Sequence, residues 1–576
     1  MRHEVDPGAI ERQAKIPDTV IQGLFKLGAF GMKIPKEYGG QGFSYTNYGR
    51  VLTLIAGWSN ILALTVAVPQ SIGIAMPILL FGNEDQKRKY LPLVAREAIS
   101  AFALTEPLTG SDAAHVRTEA VLDRTGSHFL VNGEKLWCTN GPIARYLTLI
   151  ARVPAKRVLR DGRIEWVAVH EGQGADDRVH TAFILDMSAP GLCVRQRCQF
   201  EGCRGIENAH ITLKQVQIPV ENVIGEVGKG LKYALTILNV GRGVSIPAIC
   251  LGMAKQAWQP TLDRANARVT FQKPLAERQT QQIRLGDMAG HLFAMEALAM
   301  LVWRLADQHR HDIRIEAAVA KVFCSEHTIR FLRDAQILFG GMGYETAESK
   351  GLRGEPAFGI EQLVRDAEMY RIGEGATDIL RPFIVREGLS HHLDRAKALY
   401  AGDLSILDQS RQALKLAGFY IPWYLRQWLK RPLPACPEFT HPQVGTMARY
   451  VERTSRRLAR DCFRAMVQFQ ASFQDEQRLQ NLFESIGEDL LAMSATVLYA
   501  EEQTRLEGRT TVWELAEAFC ACAKRRVIQR FAECRDQGDH LTATTGMQAL
   551  KGYYPSLSSG IVHRRLEDYR AKPRAG

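Results

Sequence analysis

The sequence lacks the cysteine patterns of a disulfide-stapled or zinc-binding protein. Its 11 cysteines among 576 residues have no regular spacing. Cys520 and Cys522, like Cys198 and Cys203, have no second pair of ligands at the distance that a zinc site needs. No metal site is therefore predicted, and the cysteines are interpreted as reduced residues of a cytosol-like compartment.

The sequence also lacks an uninterrupted apolar run of the roughly 20 residues that cross a bilayer. Its most apolar stretch, 53–81, contains Asn60, Pro69 and Pro77, which predicts two buried helices that meet near Pro69. Residues 1–15 carry acidic side chains and no apolar run, unlike a signal or transit peptide. The expected location is the cytoplasm.

Charge of one sign is not concentrated anywhere along the chain. The 73 Lys and Arg residues are mixed with 62 Asp and Glu residues, for a net charge of +11. A positive field favours acidic ligands, which include nucleic acids, anionic membranes and phosphate-bearing cofactors. Because there is no basic tail, zinc-finger spacing or aromatic RNA-binding signature, no nucleic-acid partner is predicted.

What the sequence does have is an order of helices, strands and helices. Hydrophobic residues make up 46% of the chain and charged residues 23%, as in ordinary globular proteins. A chain of this length divides into several domains. The predicted fold class is α+β, with an N-terminal helical domain (1–100), a middle β-barrel-like domain (101–218), a helical-bundle domain (219–395) and an appended C-terminal helical domain (396–576).

The elements within these domains follow from hydrophobic periodicity and breakers. A Pro-rich break at 431–437 separates the last helical stretch, 446–532, from the rest. The predicted strands are 128–131, 146–153, 180–185, 192–198 and 209–216, and the predicted helices after them are 231–238, 247–265, 277–309, 315–339 and 376–388.

Two short segments suggest a bound heteroaromatic cofactor. Residues 103–112 combine hydroxyl groups with a stiff turn, and residues 135–141 place Trp137 two positions before Thr139, on one face of a predicted strand. Hydroxyl and backbone N–H donors in such a turn suit a flat ring and phosphates. Each segment alone fits an ordinary polar loop or core strand equally well.

Further motifs follow in a fixed order, and together they resemble the acyl-CoA dehydrogenase family over about residues 5–395. Residues 237–242 and 374–381 are most similar to the very-long-chain branch, whose chains carry an extra C-terminal helical domain and form homodimers at membrane surfaces. The motifs lie at 32–40, 82–92, 105–112, 137–141, 268–271, 340–344 and 371–381.

The resemblance implies a reaction and its base. The family uses FAD to oxidise a fatty acyl-CoA across Cα–Cβ, with a carboxylate that removes the α proton and a hydride that passes to flavin N5. By motif position the base is Glu374, although a Glu at a helix N-terminus is also common. An acyl pocket should desolvate this carboxylate and raise its pKa.

The resemblance also implies contacts to FAD and to the thioester. Thr105 and Ser111 are expected to contact the flavin, and Ser111 the substrate as well. Trp137 should pack on the flavin ring and Thr139 should hydrogen-bond N5. The other residues expected to bind FAD are Phe102, Leu104, Gln336, Gly340, Gly341, Ala376, Thr377 and Asp378.

Some of the implied contacts come from a neighbouring subunit. Arg268 and Phe271 resemble the residues that contact the phosphate and adenine of the cofactor in a second copy, so a homodimer would complete the site. Arg242 resembles an arginine beside the substrate, with a surface ion pair as the alternative. Gly373 and Gly375 complete the expected substrate site.

The chain departs from the family pattern at positions that affect the substrate. Gly373 stands where an aromatic residue usually precedes the base, which should widen the pocket and admit branched or bulky acyl groups. Met76 stands where the very-long-chain branch has Gly, which argues against a very long straight chain. Gln336 lies one residue early, and the loop 345–364 is about ten residues longer than usual, as functional or mobile loops are.

Residues 415–431 interleave aromatic and basic side chains. This pattern fits an interfacial helix and hence peripheral contact with the inner membrane surface. Pro422 interrupts the helical register, and a buried interdomain segment fits the pattern equally well.

The predicted function is an FAD-dependent acyl-CoA dehydrogenase that passes electrons to an electron-transferring flavoprotein. Two alternatives remain open. One is a dehydrogenase of a carrier-protein-bound or specialised branched acyl thioester, and the other is an assembly or scaffold protein of the same fold. The presence of Glu374 argues against a pure scaffold.

Overall fold

The N-terminal part of the protein is helical, as predicted. The computed structural model describes residues 3–310, 312–400, 406–429, 441, 443–536, 538–562 and 565–569. Asn83 and Gln86 form a capping box that starts the last N-terminal helix, because each side chain bonds the backbone N–H of the other. The helices are α1 (Pro7–Gln13), α2 (Asp18–Lys26), α3 (Tyr45–Ala56), α4 (Asn60–Ser71), α5 (Ala75–Phe81) and α6 (Glu84–Arg96).

Two buried helices meet close to Pro69, as predicted, because α4 ends at Ser71 and α5 begins at Ala75. Pro69 itself lies inside the last turn of α4. A proline has no N–H to donate to the carbonyl four residues earlier, here that of Thr65. The side-chain amide of Asn140 donates to the Thr65 carbonyl at 3.0 Å instead. The helix therefore continues to Ser71. The same hydrogen bond attaches Asn140, just after the end of β3 (His128–Thr139), to α4.

The middle domain is a mixed sheet in which the strands follow the order β7-β8-β3-β2-β4-β6-β9, with β1 and β5 also paired to β4. The strands are β1 (Ser100–Ala103), β2 (Glu119–Leu122), β3 (His128–Thr139), β4 (Tyr146–Arg160), β5 (Arg163–Ala168), β6 (Asp177–Asp186), β7 (Leu192–Arg197), β8 (Asn208–Pro219) and β9 (Val223–Ile224). The sequence pattern misses β1 and β2 because four residues show little alternation. It misses β5 because none of its residues is buried.

A buried ion pair holds the turn after β1 against the sheet. Lys135 on β3 has no exposed side-chain surface, and its Nζ donates to Glu106 Oε1 at 2.8 Å and to the Leu104 carbonyl at 3.0 Å. The Glu106 carboxylate also accepts from the backbone N–H groups of Arg117 and Thr118 at 2.6 and 2.9 Å. Glu106, near the start of the turn, therefore bonds both the end of the turn at Arg117 and Thr118 and Lys135 on β3.

The substitution Lys135→Met is expected to lower the free energy of unfolding by about 3–5 kcal/mol, because it leaves the Glu106 carboxylate buried without its cation. Urea unfolding measures the loss. The double variant Lys135→Met/Glu106→Leu removes both charges and should recover most of the stability. Equal losses in the single and double variants would show that packing, rather than the orphaned charge, is responsible.

Long helices form the bundle that follows the sheet. A single π-helical turn, Gly241–Ser245, joins the first two of them; such turns are frequent at functional sites. The elements are α7 (Gly230–Val240), α8 (Ile246–Ala267), the hairpin β10 (Val269–Thr270) and β11 (Lys273–Pro274), α9 (Gln279–Gln308), α10 (Arg314–Phe339), α11 (Gly341–Tyr344), α12 (Ala347–Leu352), α13 (Ile360–Ile372) and α14 (Thr377–Tyr400).

The segment 345–364 is folded, so its prediction as a long loop is wrong. It contains α12 and the start of α13. Lys350 is 1% exposed, and its Nζ donates to the carbonyls of Met342 and Phe358 at 2.8 and 2.7 Å. A buried lysine that satisfies two carbonyls stabilises a turn in which the sequence shows little apolar periodicity.

The appended C-terminal helices pack against the bundle, and Trp513 and Phe519 belong to the same hydrophobic core. α14 continues through the predicted boundary at 395. α15 continues through Pro422, at which the sequence pattern predicts an interruption of the helical register. The Pro-rich segment 431–437 lies outside the described residues. The helices are α15 (Ile406–Arg426), α16 (Gln443–Phe469), α17 (Gln477–Glu507), α18 (Val512–Glu533) and α19 (Gly538–Leu550).

Three helical segments of the described chain have the length and composition to cross a bilayer: Asn60–Phe81, Gly230–Ala267 and Gln279–Gln308. Most of each apolar window is buried inside the protein, at 78%, 78% and 67% respectively. Their apolar side chains supply the core in this fold.

Candidate active site

Glu374 lies in the short turn between α13 and α14, opposite the π-helical turn. Its φ of 57° is in the left-handed region, which non-glycine residues adopt only under constraint. A Cβ atom at Gly241 would overlap the Glu374 carboxylate, so this carboxylate rests on bare glycine backbone. The strained turn and the opposing glycine together fix where the carboxylate lies.

Two buried cations hold this turn through its backbone. Arg242, which is 8% exposed, donates its Nε–H to the Glu374 carbonyl at 2.6 Å. Lys321 donates to the carbonyls of Arg371 and Gly375 at 2.9 and 2.8 Å. The burial of Arg242 contradicts the alternative of a surface ion pair.

The Glu374 carboxyl group is desolvated. Burial raises its pKa to about 7, against the opposing effect of Arg242 and Lys321. Its Oε2 is buried and has no hydrogen-bond partner among the described residues. A carboxylate oxygen with these properties is suited to accept a proton near neutral pH.

An apolar cluster begins next to this carboxylate, because its member Val240 immediately precedes Gly241. Met76 is 4% exposed within the cluster, and Phe102 on β1 packs at its border. The cluster joins α4, α5 and α7 through Val68, Ile72, Met76, Ile237, Leu238 and Val240.

The end of β3 brings together three of the predicted flavin contacts. The backbone N–H of Leu136 donates to the Thr105 carbonyl at 2.9 Å, which places the turn after β1 beside Trp137. Trp137 has a φ of 57° at an irregularity in the β3–β8 pairing, and it and Thr139 flank the buried Cys138. Asn208 donates to Thr139 Oγ1 at 3.0 Å.

The C-terminal end of β3 has groups that suit a flat cofactor. The Trp137 ring is 57% exposed, and Oδ1 of Asn208 is buried without a hydrogen-bond partner in the described structure. An open indole face beside a hydroxyl group and an unused amide oxygen fits an aromatic ring system with polar edges.

The other predicted cofactor residues have different surroundings. Phe271 projects from the β10–β11 hairpin with 93% of its surface exposed. Gln336 donates to the Gly343 carbonyl at 3.0 Å, and Thr377 donates to Glu326 at 2.8 Å. Of the remaining predicted residues, Arg268, Gly340, Gly341, Ser111 and Asp378 are exposed, Ala376, Gly373 and Gly375 are half-buried, and Leu104 is buried.

Sequence reasoning missed two residues that define the site, Gly241 and Lys321. Gly241 lies in a Val-Gly-Arg-Gly run, where two glycines within an otherwise helical pattern could have indicated close packing. Lys321 is the basic residue of an apolar stretch, 317–324, and a lysine there needs buried partners. Tyr48, which bonds Ser245 of the π-helical turn at 3.0 Å, left no comparable signal.

Comparison with known proteins identifies the family. Family models described as the N-terminal, middle and C-terminal domains of acyl-CoA dehydrogenase match residues 1–98, 101–216 and 228–389. "Probable acyl-CoA dehydrogenase FadE10" of Mycobacterium tuberculosis is 38% identical over 565 residues, covering 97% of this chain and 83% of that protein. "Very long-chain specific acyl-CoA dehydrogenase, mitochondrial" of Mus musculus is 30% identical over 561 residues, covering 97% and 80%. The chain belongs to the acyl-CoA dehydrogenase family of FAD-dependent oxidoreductases.

Solved structures agree with this assignment. An acyl-CoA dehydrogenase complexed with FAD from Bacillus anthracis has a TM-score of 0.72 and 26% identity, over 92% of this chain and 84% of that one. A structure titled as the electron transferring flavoprotein of Acidaminococcus fermentans has a TM-score of 0.56 and 28% identity, over 66% and 91%. The more extensive of these matches therefore includes most of the C-terminal helices.

Proposed function

We propose that this protein oxidises a fatty acyl-CoA to the trans-2-enoyl-CoA, with Glu374 as the base that removes the α proton. The observation that carries the proposal is the buried Oε2 of Glu374, which has no protein partner among the described residues. The adjoining cluster of apolar side chains supports the proposal because it would offer an acyl chain apolar contacts. Family membership accounts for the redox chemistry.

The FAD site of this proposal uses the C-terminal end of β3. Trp137 would pack on the flavin ring and Thr139 would hydrogen-bond it, with Thr105 at the adjacent turn. When bound, FAD supplies the acceptor for the hydride that leaves Cβ. The further proposed contacts are Phe102, Leu104, Ser111, Gln336, Gly340, Gly341, Ala376, Thr377 and Asp378 of the same or a partner copy.

The residues around Glu374 position the base without competing for its proton. Arg242 and Lys321 bond backbone carbonyls of the turn, so both carboxylate oxygens stay out of an ion pair. A proton accepted at Oε2 gives a neutral carboxylic acid, the form that a desolvated environment favours. The apolar cluster excludes water from the acyl chain, which keeps the carboxylate desolvated while substrate is bound.

The pH dependence of the reaction should follow Glu374. Only the ionised carboxylate accepts the α proton, and its pKa lies at about 7 in the free protein. We therefore expect kcat/KM to fall about tenfold per pH unit below that pKa and to level off above it. In Lys321→Met, the loss of a nearby cation should raise the pKa of Glu374, so the fall in kcat/KM should begin at higher pH. A profile that is flat between about pH 6 and 8 would contradict the assignment of the base.

The proposed substrate is a branched, bulky or moderately long acyl group rather than a very long straight one. Gly373 has a φ of −62°, and a Cβ there would make only ordinary contacts with Met369. The backbone therefore does not require glycine, and its effect is to leave space beside the base. Met76 fills part of the apolar cluster that a long straight chain would occupy.

The proposed active unit is a homodimer that reduces an electron-transferring flavoprotein. The 93% exposure of Phe271 supports a role for the β10–β11 hairpin in a second copy, where Arg268 and Phe271 would contact the cofactor. Peripheral contact with the inner membrane surface from the cytoplasm is part of the same proposal. It is supported by the exposed apolar side chains at the end of α15 and just after it, Ile421, Leu425, Trp428 and Leu429, which are 58–62% exposed.

A further inference from the structure

A cavity lies where the bundle meets the appended helices. Its volume is about 370 Å³, within the range of small-molecule sites. Side chains from α10, α14, α15, α16 and α17 line it, and most of them are apolar, including Ile384, Leu389, Trp423, Phe463 and Met466. None of these residues belongs to the site around Glu374.

The polar end of this cavity is formed by Glu484 and Glu488, one turn apart on α17. Their side chains are 0% and 5% exposed. They share one guanidinium: Arg381 bonds Glu484 Oε2, and its Nη1 lies 3.6 Å from Glu488 Oε2. Glu484 Oε1 and Glu488 Oε2 have no hydrogen-bond partner among the described residues. Buried carboxyl oxygens without a partner are costly, so a polar group that reaches them from the cavity would gain hydrogen bonds that the protein leaves open.

The charges around the pair decide which head group fits. The neighbouring Asp489 is occupied by Arg526 at 2.6 Å and by Arg530, so Arg381 is left to Glu484 and Glu488. Burial raises the pKa of both carboxyl groups, that of Glu488 well above its usual range, so the pair holds a neutral acid that can donate one hydrogen bond beside an oxygen that can accept one. A hydroxyl group matches this arrangement because it accepts and donates at once, whereas a carboxylate would add a further acid.

We propose that this cavity binds a lipid alcohol, with its hydrocarbon chain against the apolar walls and its hydroxyl group between Glu484 and Glu488. The site is distinct from the acyl-CoA site, and two carboxyl groups at its end disfavour the phosphates of CoA. Arg381 lies on α14, the helix that begins three residues after Glu374. The ligand therefore contacts the residues that hold this helix against α17.

The test is binding of 1-decanol to the FAD-loaded protein, compared with decane, decanoate and decylamine at equal concentration. Titration calorimetry gives the stoichiometry, and the tryptophan fluorescence change that is lost in Trp423→Phe locates the site. We expect one decanol per chain and weaker binding of the other three. No saturable binding of decanol, or equal or tighter binding of decanoate or decylamine, would overturn the proposal.

Variants test the contributions of the apolar walls and of the polar end of the cavity separately. A Cβ at Gly388 would meet no atom within 4 Å, so Gly388→Leu extends into the cavity and should weaken decanol binding by at least about tenfold. Gly418→Leu on α15 is the matched control, since its Cβ is equally free and it does not line the cavity. Glu488→Leu should lose at least about fivefold, and Glu488→Gln, which keeps a donor and an acceptor, should lose less. Unchanged binding in both Gly388→Leu and Glu488→Leu would show that decanol binds elsewhere.

Discussion

Replacement of Glu374 by glutamine is expected to slow reduction of the bound flavin by acyl-CoA by about 10²–10⁴-fold. The amide keeps the length of the side chain and fits the same constrained turn, but it cannot accept the α proton. The carboxylate makes no hydrogen bond through Oε2 to the described residues, so little structure depends on its charge. Anaerobic rapid mixing, followed by flavin absorbance, measures the rate of the step in which this proton is removed.

The matched control is Glu296→Gln on α9, whose carboxylate pairs with Lys255 at 2.8 Å away from the site. It should retain the wild-type rate, and both variants should retain wild-type FAD content. A wild-type rate in Glu374→Gln would mean that another group removes the proton. Loss of FAD would mean that Glu374 is needed for the structure of the FAD site.

Replacement of Gly241 by alanine should reduce the rate of flavin reduction by about 10²-fold, although Gly241 has no chemistry of its own. The added methyl group would overlap the Glu374 carboxylate, so the carboxylate must move. A displacement of about 1 Å from the productive geometry is enough for a loss of this size. Alanine favours a helical backbone more than glycine does, so the π-helical turn should still form.

The control for this variant is Gly286→Ala on α9, where a Cβ meets no atom within 4 Å. It should leave the rate unchanged and raise the stability slightly. Comparison of FAD content and circular dichroism establishes that Gly241→Ala is folded. A folded Gly241→Ala protein with the wild-type rate would show that the carboxylate position is not constrained as described.

The order of domains could be predicted from the sequence because helices and strands leave different periodicities over long segments. The family motifs then indicated Glu374 as the candidate base, without information on which residues lie near it in space. Local details were less accessible. The sequence indicates that two helices meet near Pro69, but it does not show that the side chain of Asn140, 71 residues later, satisfies the carbonyl that this proline leaves free. Periodicity in one segment carries no information about such a distant partner.

The sequence indicated Glu374 because this residue lies in a family motif. It did not indicate residues that hold the turn around Glu374, such as Lys321. Lys321 bonds two carbonyls on either side of Glu374, from a helix 50 residues earlier in the chain. The residues next to Lys321 in the sequence do not indicate which carbonyl groups it bonds. Trp137 was predicted as a flavin contact from its motif alone, and its left-handed backbone at the irregular β3–β8 pairing is a detail that alternation cannot reveal.

The most direct test of the central claim is an anaerobic titration of the purified protein with acyl-CoAs of increasing length and then with branched ones. The account predicts that one class bleaches the bound flavin and yields one enoyl-CoA per flavin, with branched or moderate chains most effective. Flavin that no acyl-CoA bleaches, while a carrier-protein thioester does, would contradict the CoA substrate. A protein that holds no flavin, or flavin that nothing bleaches, would contradict the dehydrogenase itself.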